Sequence, residues 1–301
     1  MSSFRLPTAL LLAGATAAGG CVVSLDSQGR TAREERRFEV SGAPDVRVTT
    51  FDGSIQVRSW DRDEVLIEIE KRAPTEEALK DIQVVAERDG DRIQIEVRRP
   101  SGSEAFFGIG RHVSRTARVI ATVPRRSSLM LRSGDGSIRV DRVEGRAELR
   151  TGDGSVRASE LRGEIVVHTG DGSVTLQDVE GDLDVETGDG GVSVSGVLKT
   201  VRVRTNDGSV TVRADDGSAM SDDWSITTGD GGVAVYLPEA FAAELDAHTG
   251  DGRVTSDLDV AAIVTGRVDR VDRRTLKGRV GDGGRVFRVR TGDGSIRFRV
   301  S

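Results

Sequence analysis

Residues 129–218 read LMLRSGDGSIRVDRVEGR, AELRTGDGSVRASELRGE, IVVHTGDGSVTLQDVEGD, LDVETGDGGVSVSGVLKT and VRVRTNDGSVTVRADDGS. These five segments share an Asp-Gly pair whose aspartates fall at 135, 153, 171, 189 and 207, so each step is 18 residues without insertion or deletion. A fixed period shorter than a domain is typical of a repeat protein, in which one unit cannot bury its apolar face alone. The segments therefore indicate a stack of equivalent coils.

Each segment alternates apolar and polar residues on both sides of the Asp-Gly pair. In the first segment the apolar positions are Leu129 and Leu131 before the pair and Ile138 and Val140 after it. A period of two indicates two short strands, each with one buried face. We predict an all-β β-solenoid with one 18-residue coil per repeat and strands stacked about 4.8 Å apart. An antiparallel β meander or sandwich is the alternative, because Asp-Gly between strands is also typical of a hairpin.

Composition agrees with such a fold and excludes several classes of function. The chain has 301 residues, of which 37 are glycine and only 4% aromatic, with 43 basic and 49 acidic residues interleaved along it. Abundant glycine fits tight turns between short strands. Without a basic patch, nucleic acid is not an expected partner, and one cysteine cannot form an internal disulfide. We expect no cofactor.

The N-terminus has the features of an export signal. We interpret residues 1–20 as a signal peptide, since Arg5 precedes an apolar run too short to span a bilayer. The Ala-Gly-Gly-Cys that ends at Cys21 resembles the lipobox of bacterial lipoproteins, which implies lipidation of that cysteine. Residues 21–37 would then be a polar tether. The alternative is cleavage after Ala17, which leaves a free thiol.

The remaining chain divides into two predicted regions. Residues 38–124 are rich in strand patterns without the 18-residue period, and we interpret them as an N-terminal strand-rich cap of the solenoid. Residues 125–301 form the repeat β-solenoid, which we expect to end in the strand near Phe298. Phe106 and Phe107 lie in a glycine-rich loop, where they either pack against the body or form an exposed contact.

The resemblance of the chain to a known family rests on three features. They are the recurrent T-G-D-G-S-V turn, an early V-x-V-x-x-x-D-G-S-I segment followed by Trp60-Asp61, and a glycine-rich block before a terminal R-T-G-D-G-S-I strand. Together they resemble the bacterial DUF4097 putative-adhesin family, close to the head-GIN and toastrack envelope domains. The resemblance implies an all-β, β-helix-like domain outside the cytoplasm, without established catalytic residues. It also implies adhesion, scaffolding or envelope-stress sensing.

The sequence offers no catalytic set. His112, His168 and His248 lie in unrelated contexts, and His168 occupies an outward column that the other repeats fill with arginine or glutamate. Carboxylates recur as a row along the repeats rather than as one pair in a cleft, which acid–base chemistry requires. We therefore predict a protein that is not an enzyme.

The repeated aspartates allow two interpretations. Stacked carboxylates repel each other, and a hard cation would relieve this repulsion; the calcium candidates are Asp135, Asp153, Asp171, Asp189 and Asp207. In the other interpretation Asp-Gly supplies turn geometry, with aspartate bonding its own backbone, nearby arginines offsetting its charge and glycine at positive φ. We favour the second interpretation and predict no metal; its turn glycines are Gly136, Gly154, Gly172, Gly190 and Gly208.

These observations predict a non-catalytic lipoprotein, exported and anchored in the bacterial cell envelope on its periplasmic or outer-membrane face. Its expected partners are the membrane, through the lipid, and a polysaccharide or an envelope protein. The two alternatives are a calcium-stabilised β-roll module and a carbohydrate-active β-helix enzyme.

Overall fold

The structure is a computed structural model, and it describes residues 21–26, 29–99, 115–262 and 273–301. Four of the sequence predictions fall outside these residues: the signal peptide, the side chain of Cys21, the Phe106-Phe107 pair and His112. The domain boundaries and the lipidation of Cys21 stay predictions.

The described residues form strands almost throughout. The elements are β1 (Cys21–Asp26), β2 (Gly29–Glu39), β3 (Asp45–Thr50), β4 (Ile55–Trp60), β5 (Glu64–Ala73), α1 (Glu76–Lys80), β6 (Gln83–Asp89), β7 (Arg92–Arg98), β8 (Thr116–Pro124), β9 (Ser128–Ser133), β10 (Ile138–Asp141), β11 (Glu144–Thr151), β12 (Val156–Ser159), β13 (Arg162–Thr169), β14 (Val174–Thr187), β15 (Val192–Arg204), β16 (Val210–Ala214), β17 (Trp224–Thr228), β18 (Val233–Leu237), β19 (Ala243–Thr249), β20 (Val254–Ser256), β21 (Ala261–Ala262), β22 (Thr275–Val280), β23 (Val286–Thr291) and β24 (Ile296–Val300).

The repeats stack as parallel coils. Ile138 of β10 pairs with Val156 of β12, and Leu129 of β9 pairs with Ala147 of β11, each in register with the residue 18 positions along the chain. Strands that precede an Asp-Gly pair join a first sheet, and strands that follow it join a second sheet. The long strands β14 and β15 bend and belong to both. The predicted β-solenoid is confirmed, and the antiparallel alternative is wrong for the repeats because their pairing is parallel.

The spatial order of the coils departs from chain order at both ends. The coil of β3 and β4 lies between that of β7 and β8 and that of β9 and β10. At the other end the last coil, β23 and β24, lies between that of β17 and β18 and that of β19 and β20. The final strand of the chain is therefore an interior strand of the stack.

The core lies between the two sheets and runs along the whole stack. It consists of the inward columns predicted from the alternation, such as Leu131, Val140 and Val167, each with no exposed area. The inserted last coil adds an aromatic part, in which the ring of Phe287 lies 5.3 Å from that of Trp224 and 6.0 Å from that of Phe298. Continuous burial of these columns stabilises coils that could not fold singly.

Antiparallel strands cover the N-terminal end. β5 pairs with β8 and β2 with β5 beside the second sheet, and β6 pairs with β7 beside the first. Thr75 caps the N-terminus of the short helix α1, and its side chain accepts a hydrogen bond from the Ala78 amide. Across the residues that the structure describes, no helix has the length and apolar character to cross a membrane.

Candidate functional site: a groove beside the Asp-Gly corner

Buried hydroxyls hold the Asp-Gly corner together. In most coils a threonine at the end of the first-sheet strand directs its hydroxyl at two carbonyl oxygens of the adjacent coil; the Oγ1 of Thr187 is 3.2 Å from the Gly170 oxygen and 3.1 Å from the Gly172 oxygen. The same arrangement occurs at Thr151, Thr169, Thr205, Thr228, Thr249 and Thr291. The first repeat has Ser133 instead, which donates to the Gly53 oxygen alone. These threonines therefore join neighbouring coils at the corner, in addition to the sheet hydrogen bonds.

The turn glycines are required for space, not for a left-handed backbone. A Cβ placed on Gly190 would lie 2.1 Å from the carbonyl oxygen of Gly172, and one on Gly172 would lie 2.0 Å from that of Gly154. Gly136, Gly154, Gly172, Gly190 and Gly208 are absent from the glycines with positive φ. The predicted positive φ is wrong, because close backbone stacking, which a single repeat does not reveal, accounts for these glycines.

The five repeat aspartates form an exposed row on this corner. The row consists of Asp135, Asp153, Asp171, Asp189 and Asp207. Within the described chain none of these carboxylates has a hydrogen bond or an ion pair. The prediction that each would bond its own backbone is wrong, since the threonine hydroxyls and the backbone amides already complete the turn.

The nearby arginines do not neutralise the row. Arg150 Nε lies 2.9 Å from Glu148 Oε1, and Arg132 is 3.7 Å from the same oxygen, so both are directed at a glutamate buried on the outer face of the first sheet. Arg139 and Arg157, the other two arginines of this prediction, form no ion pair with these carboxylates among the described residues either, and Arg157 donates to the Ser155 hydroxyl. The predicted offset is therefore not made through ion pairs. Among the described residues, no group of three or more His, Cys, Asp or Glu side chains could hold a metal ion.

A groove of about 500 Å³ runs beside the row of aspartates and crosses successive coils. Its lining takes one outward side chain from the fourth position of each repeat: Arg132, Arg150, His168, Glu186 and Arg204. The corner threonines and Asn206 complete the wall. Because each coil contributes the same position, the groove presents a ladder of polar groups at the spacing of the strands.

The groups in the groove are partly unengaged. His168 Nε2 lies 3.6 Å from Glu186 Oε2, while His168 Nδ1 is buried without a hydrogen bond. Within the described residues the side chains of Arg204 and Asn206 have no hydrogen bond or ion pair. His168, which the sequence places in an outward column, is half-buried and lines the groove. The outward column was visible in the sequence, but the corner that closes the groove was not.

At the return corner the chain passes from the second sheet back to the first. This corner differs from the Asp-Gly corner in its backbone angles and in the pairing of its charges. Non-glycine residues adopt positive φ there, with 58° at Arg142, 53° at Glu160 and 53° at Asp178. Charges of opposite sign pair between coils, as in Arg162 with Glu180 at 3.4 Å. His248 lies on β19, in register with Arg290 of β23, and its Nδ1 contacts the Thr275 hydroxyl at 2.9 Å.

Fold and site define a β-solenoid that presents a polar, ladder-like groove on the outside of one sheet. The family comparison agrees with this class: the chain belongs to the Toastrack DUF4097 family, whose model matches residues 45–299. This confirms the resemblance seen in the sequence. A comparison with proteins of curated function found no match.

Three solved structures are similar to the chain. A "putative cell adhesion protein" from Clostridium sporogenes is 15% identical, covers 89% of this chain and 99% of its own, and has a TM-score of 0.30. A "putative lipid binding protein" from Parabacteroides distasonis is 13% identical over 88% and 96%, with a TM-score of 0.46. A "putative adhesin" from Bacteroides fragilis is 9% identical over 88% and 96%, with a TM-score of 0.38. Similarities this low carry no argument about function.

Proposed function

We propose that this protein is a non-catalytic binding module of the bacterial cell envelope, exported and anchored by a lipid on Cys21. Its ligand is a linear, neutral, hydroxyl-rich polymer, such as an envelope polysaccharide, that lies in the groove across the coils. The observation that carries the proposal is the ladder of one outward polar side chain per coil along the groove. Such a ladder suits a ligand that repeats along one direction.

The spacing supports an extended polymer. Neighbouring coils are separated by the strand distance of about 4.8 Å, which is comparable to the length of one sugar residue in an extended chain. Consecutive residues of a polysaccharide could therefore meet consecutive coils in the same way. Many weak, equivalent contacts along one chain add to a useful affinity.

The chemistry of the groove favours a neutral polymer over a charged one. Arg204 and Asn206 can donate hydrogen bonds, and Glu186 can accept them. Sugar hydroxyls do both. A polyanion would be attracted by the arginines but repelled by the adjacent unpaired aspartates, such as Asp171 and Asp189.

The arrangement also supports binding without catalysis. The titratable groups of the groove recur along a row, one per coil, whereas bond cleavage requires an acid and a base that converge on one bond. His168 and Glu186 are neighbours in the groove, and their contact of 3.6 Å is an ion pair only when the histidine is protonated.

Binding to insoluble polysaccharide tests the proposed groove. The full chain is incubated with cellulose and with chitin, and the bound fraction is measured by sedimentation. We expect binding to at least one polymer, and a loss of about tenfold in affinity for a variant with Glu186→Gln and Arg204→Gln together, near 1.4 kcal/mol. Arg297→Gln and Arg299→Gln, on the second sheet, are the matched control and should bind normally. Equal binding by both variants, or no binding at all, would overturn the proposed site.

Removal of one coil tests the ladder itself. Deletion of residues 165–182 removes one 18-residue period and joins equivalent positions, so the stack can close again. Circular dichroism and a thermal melt show whether the shortened stack folds. If the polymer spans the coils, the folded variant binds several-fold more weakly; unchanged affinity would show that the ligand contacts a single place.

Metabolic labelling with palmitate in a bacterial host tests the anchor. The protein should take up label and fractionate with membranes, whereas Cys21→Ala should do neither. Label on the Cys21→Ala variant would contradict the assignment of that cysteine, without affecting the groove.

A further inference from the structure

The two tryptophans of the chain lie in opposite environments. Trp224 is fully buried in the core, where its Nε1 donates to the Lys199 carbonyl oxygen at 3.0 Å. Trp60, at the end of β4, is only partly buried and borders a depression of about 650 Å³ near the N-terminal end of the stack. This depression lies at the return corner, away from the groove beside the aspartates. A partly exposed indole is unusual on a surface that is otherwise charged.

One hydrogen bond fixes the orientation of the Trp60 ring. Its Nε1 donates to the Glu64 carbonyl oxygen at 2.7 Å, so the polar end of the indole is satisfied within the protein. In the neighbouring parallel strand, Pro124 pairs in register with Trp60. The Pro124 carbonyl oxygen in turn accepts a hydrogen bond from the Ser127 hydroxyl at 2.6 Å. The oriented indole of Trp60 and the buried Pro124 therefore line the same depression, and Trp60 supplies its apolar floor.

Charged groups surround this floor and remain available to a ligand. Among the described residues, neither Asp61 nor Asp63 has a side-chain hydrogen bond or ion pair, and the guanidinium of Arg125 has none either. Arg62 lies over the Trp60 ring at 4.9 Å from its centroid, without a carboxylate partner. Exposed contacts of this kind are weak, so a ligand can displace the arginine.

We propose that this depression is a saccharide-binding site, separate from the groove. A sugar ring has an apolar C–H face, which would stack on Trp60, and hydroxyls around its edge. The carboxylates of Asp61 and Asp63 would accept hydrogen bonds from these hydroxyls, and Arg125 would donate to them. Because the ring is already oriented, little conformational freedom is lost on binding.

Tryptophan fluorescence provides a selective measurement. Acrylamide quenches exposed indoles, so in the folded full chain it should quench Trp60 and leave the buried Trp224 almost unaffected. We expect cellotriose, chitotriose or maltotriose to reduce this quenching in a saturable way, whereas glycerol, which has no ring face, should not. The Trp60→Phe variant should show no saccharide-dependent change. Absence of protection by all three trisaccharides, or the same protection in Trp60→Phe, would overturn the proposal.

Two further variants keep the fluorophore and test the rim. Asp61→Asn combined with Asp63→Asn should weaken the protection by about tenfold or more, since each carboxylate loses its strong acceptor character. The matched control is Asp257→Asn combined with Asp259→Asn, an exposed pair with the same spacing at the other end of the stack, which should bind as the wild type does. Equal affinity in both double variants would contradict the role of the rim carboxylates.

The groove variant with Glu186→Gln and Arg204→Gln should retain the Trp60 response, which separates this site from the proposed function.

Discussion

Each coil turns twice, and glycine recurs at both turns, but only the return corner also requires a positive φ. At the Asp-Gly corner, Gly172 and Gly190 lie so close to the backbone of the preceding coil that a Cβ would overlap a carbonyl oxygen. At the return corner, Gly163 and Gly181 adopt φ values of 121° and 131°, which L side chains rarely adopt. The return corner is limited by space as well, because a Cβ on Gly163 would lie 2.3 Å from the Gly145 carbonyl oxygen and one on Gly181 would lie 2.1 Å from that of Gly163. One corner is therefore limited by space alone and the other by space and backbone angle, so a column of glycines does not by itself reveal its cause.

The charges differ between the corners as well. At the Asp-Gly corner each of the five 18-residue repeats places on the surface an aspartate that has no partner among the described residues. At the return corner Arg162 pairs with Glu180, and Arg126 lies 3.8 Å from Glu144. The first corner repeats one solution in each coil, whereas the second varies its residues and pairs them. The comparison shows that a position where the backbones of neighbouring coils touch needs the same residue in every coil. A position where only side chains touch can hold different residues in different coils.

The largest expected effect is a difference in the free energy of unfolding between variants of two adjacent glycines, Gly190 and Gly191, at the Asp-Gly corner. Gly190→Ala introduces a Cβ 2.1 Å from the Gly172 carbonyl oxygen and should lower the free energy of unfolding by about 2 to 3 kcal/mol through overpacking. Gly191→Ala is the matched control, because its Cβ would find its nearest neighbour at 3.6 Å and other repeats have serine there. Urea denaturation measures both. Similar losses in the two variants would show that stacking does not distinguish these positions.

An intermediate effect is expected from the corner hydroxyls. Thr187→Val keeps the shape of the side chain but leaves the Gly170 and Gly172 oxygens without their hydroxyl donor, which should cost about 1 to 2 kcal/mol. Thr175→Val on β14 is the control, since that threonine faces outward on the second sheet and should change stability by less than about 0.5 kcal/mol. Equal urea midpoints for the Thr187→Val and Thr175→Val variants would mean that the corner hydroxyls add no stability beyond that of the sheet hydrogen bonds.

The smallest expected effect concerns charge, and its sign differs between the corners. Asp171→Asn removes repulsion from the neighbouring aspartates and should raise stability slightly at low salt, by up to about 0.5 kcal/mol. Arg162→Gln removes the pair with Glu180 and should lower stability by a similar amount. Both differences should fade at high salt, because these groups are exposed to solvent. Thermal melts at two salt concentrations measure both differences. A loss of stability in Asp171→Asn would contradict the view that the repeat aspartates have no stabilising partners.

Several features could be predicted because they depend on the local sequence. The inward columns, including Leu131 and Val140, followed from alternation, and the strict period predicted parallel stacking of the coils. The outward column that contains His168 was also visible. The groove was not predicted, since it exists only when the fourth positions of several coils lie beside a closed corner. The depression at Trp60 could not be predicted either, because it forms only when β4 pairs with β8, whose residues are more than 60 positions apart in the chain.

The sequence by itself determined that the chain forms coils, which residues each coil buries and where each coil turns, because a two-residue period and a fixed repeat length are local properties of the chain. Only the tertiary structure decided the order of the coils, which places Phe287 and Phe298 of the last coil inside the stack. It also decided why the glycines are needed at each corner. The physical reason is that every coil offers the same backbone edges to its neighbours, so the neighbour that each coil takes and the space that remains at its corners are settled only when the coils stack.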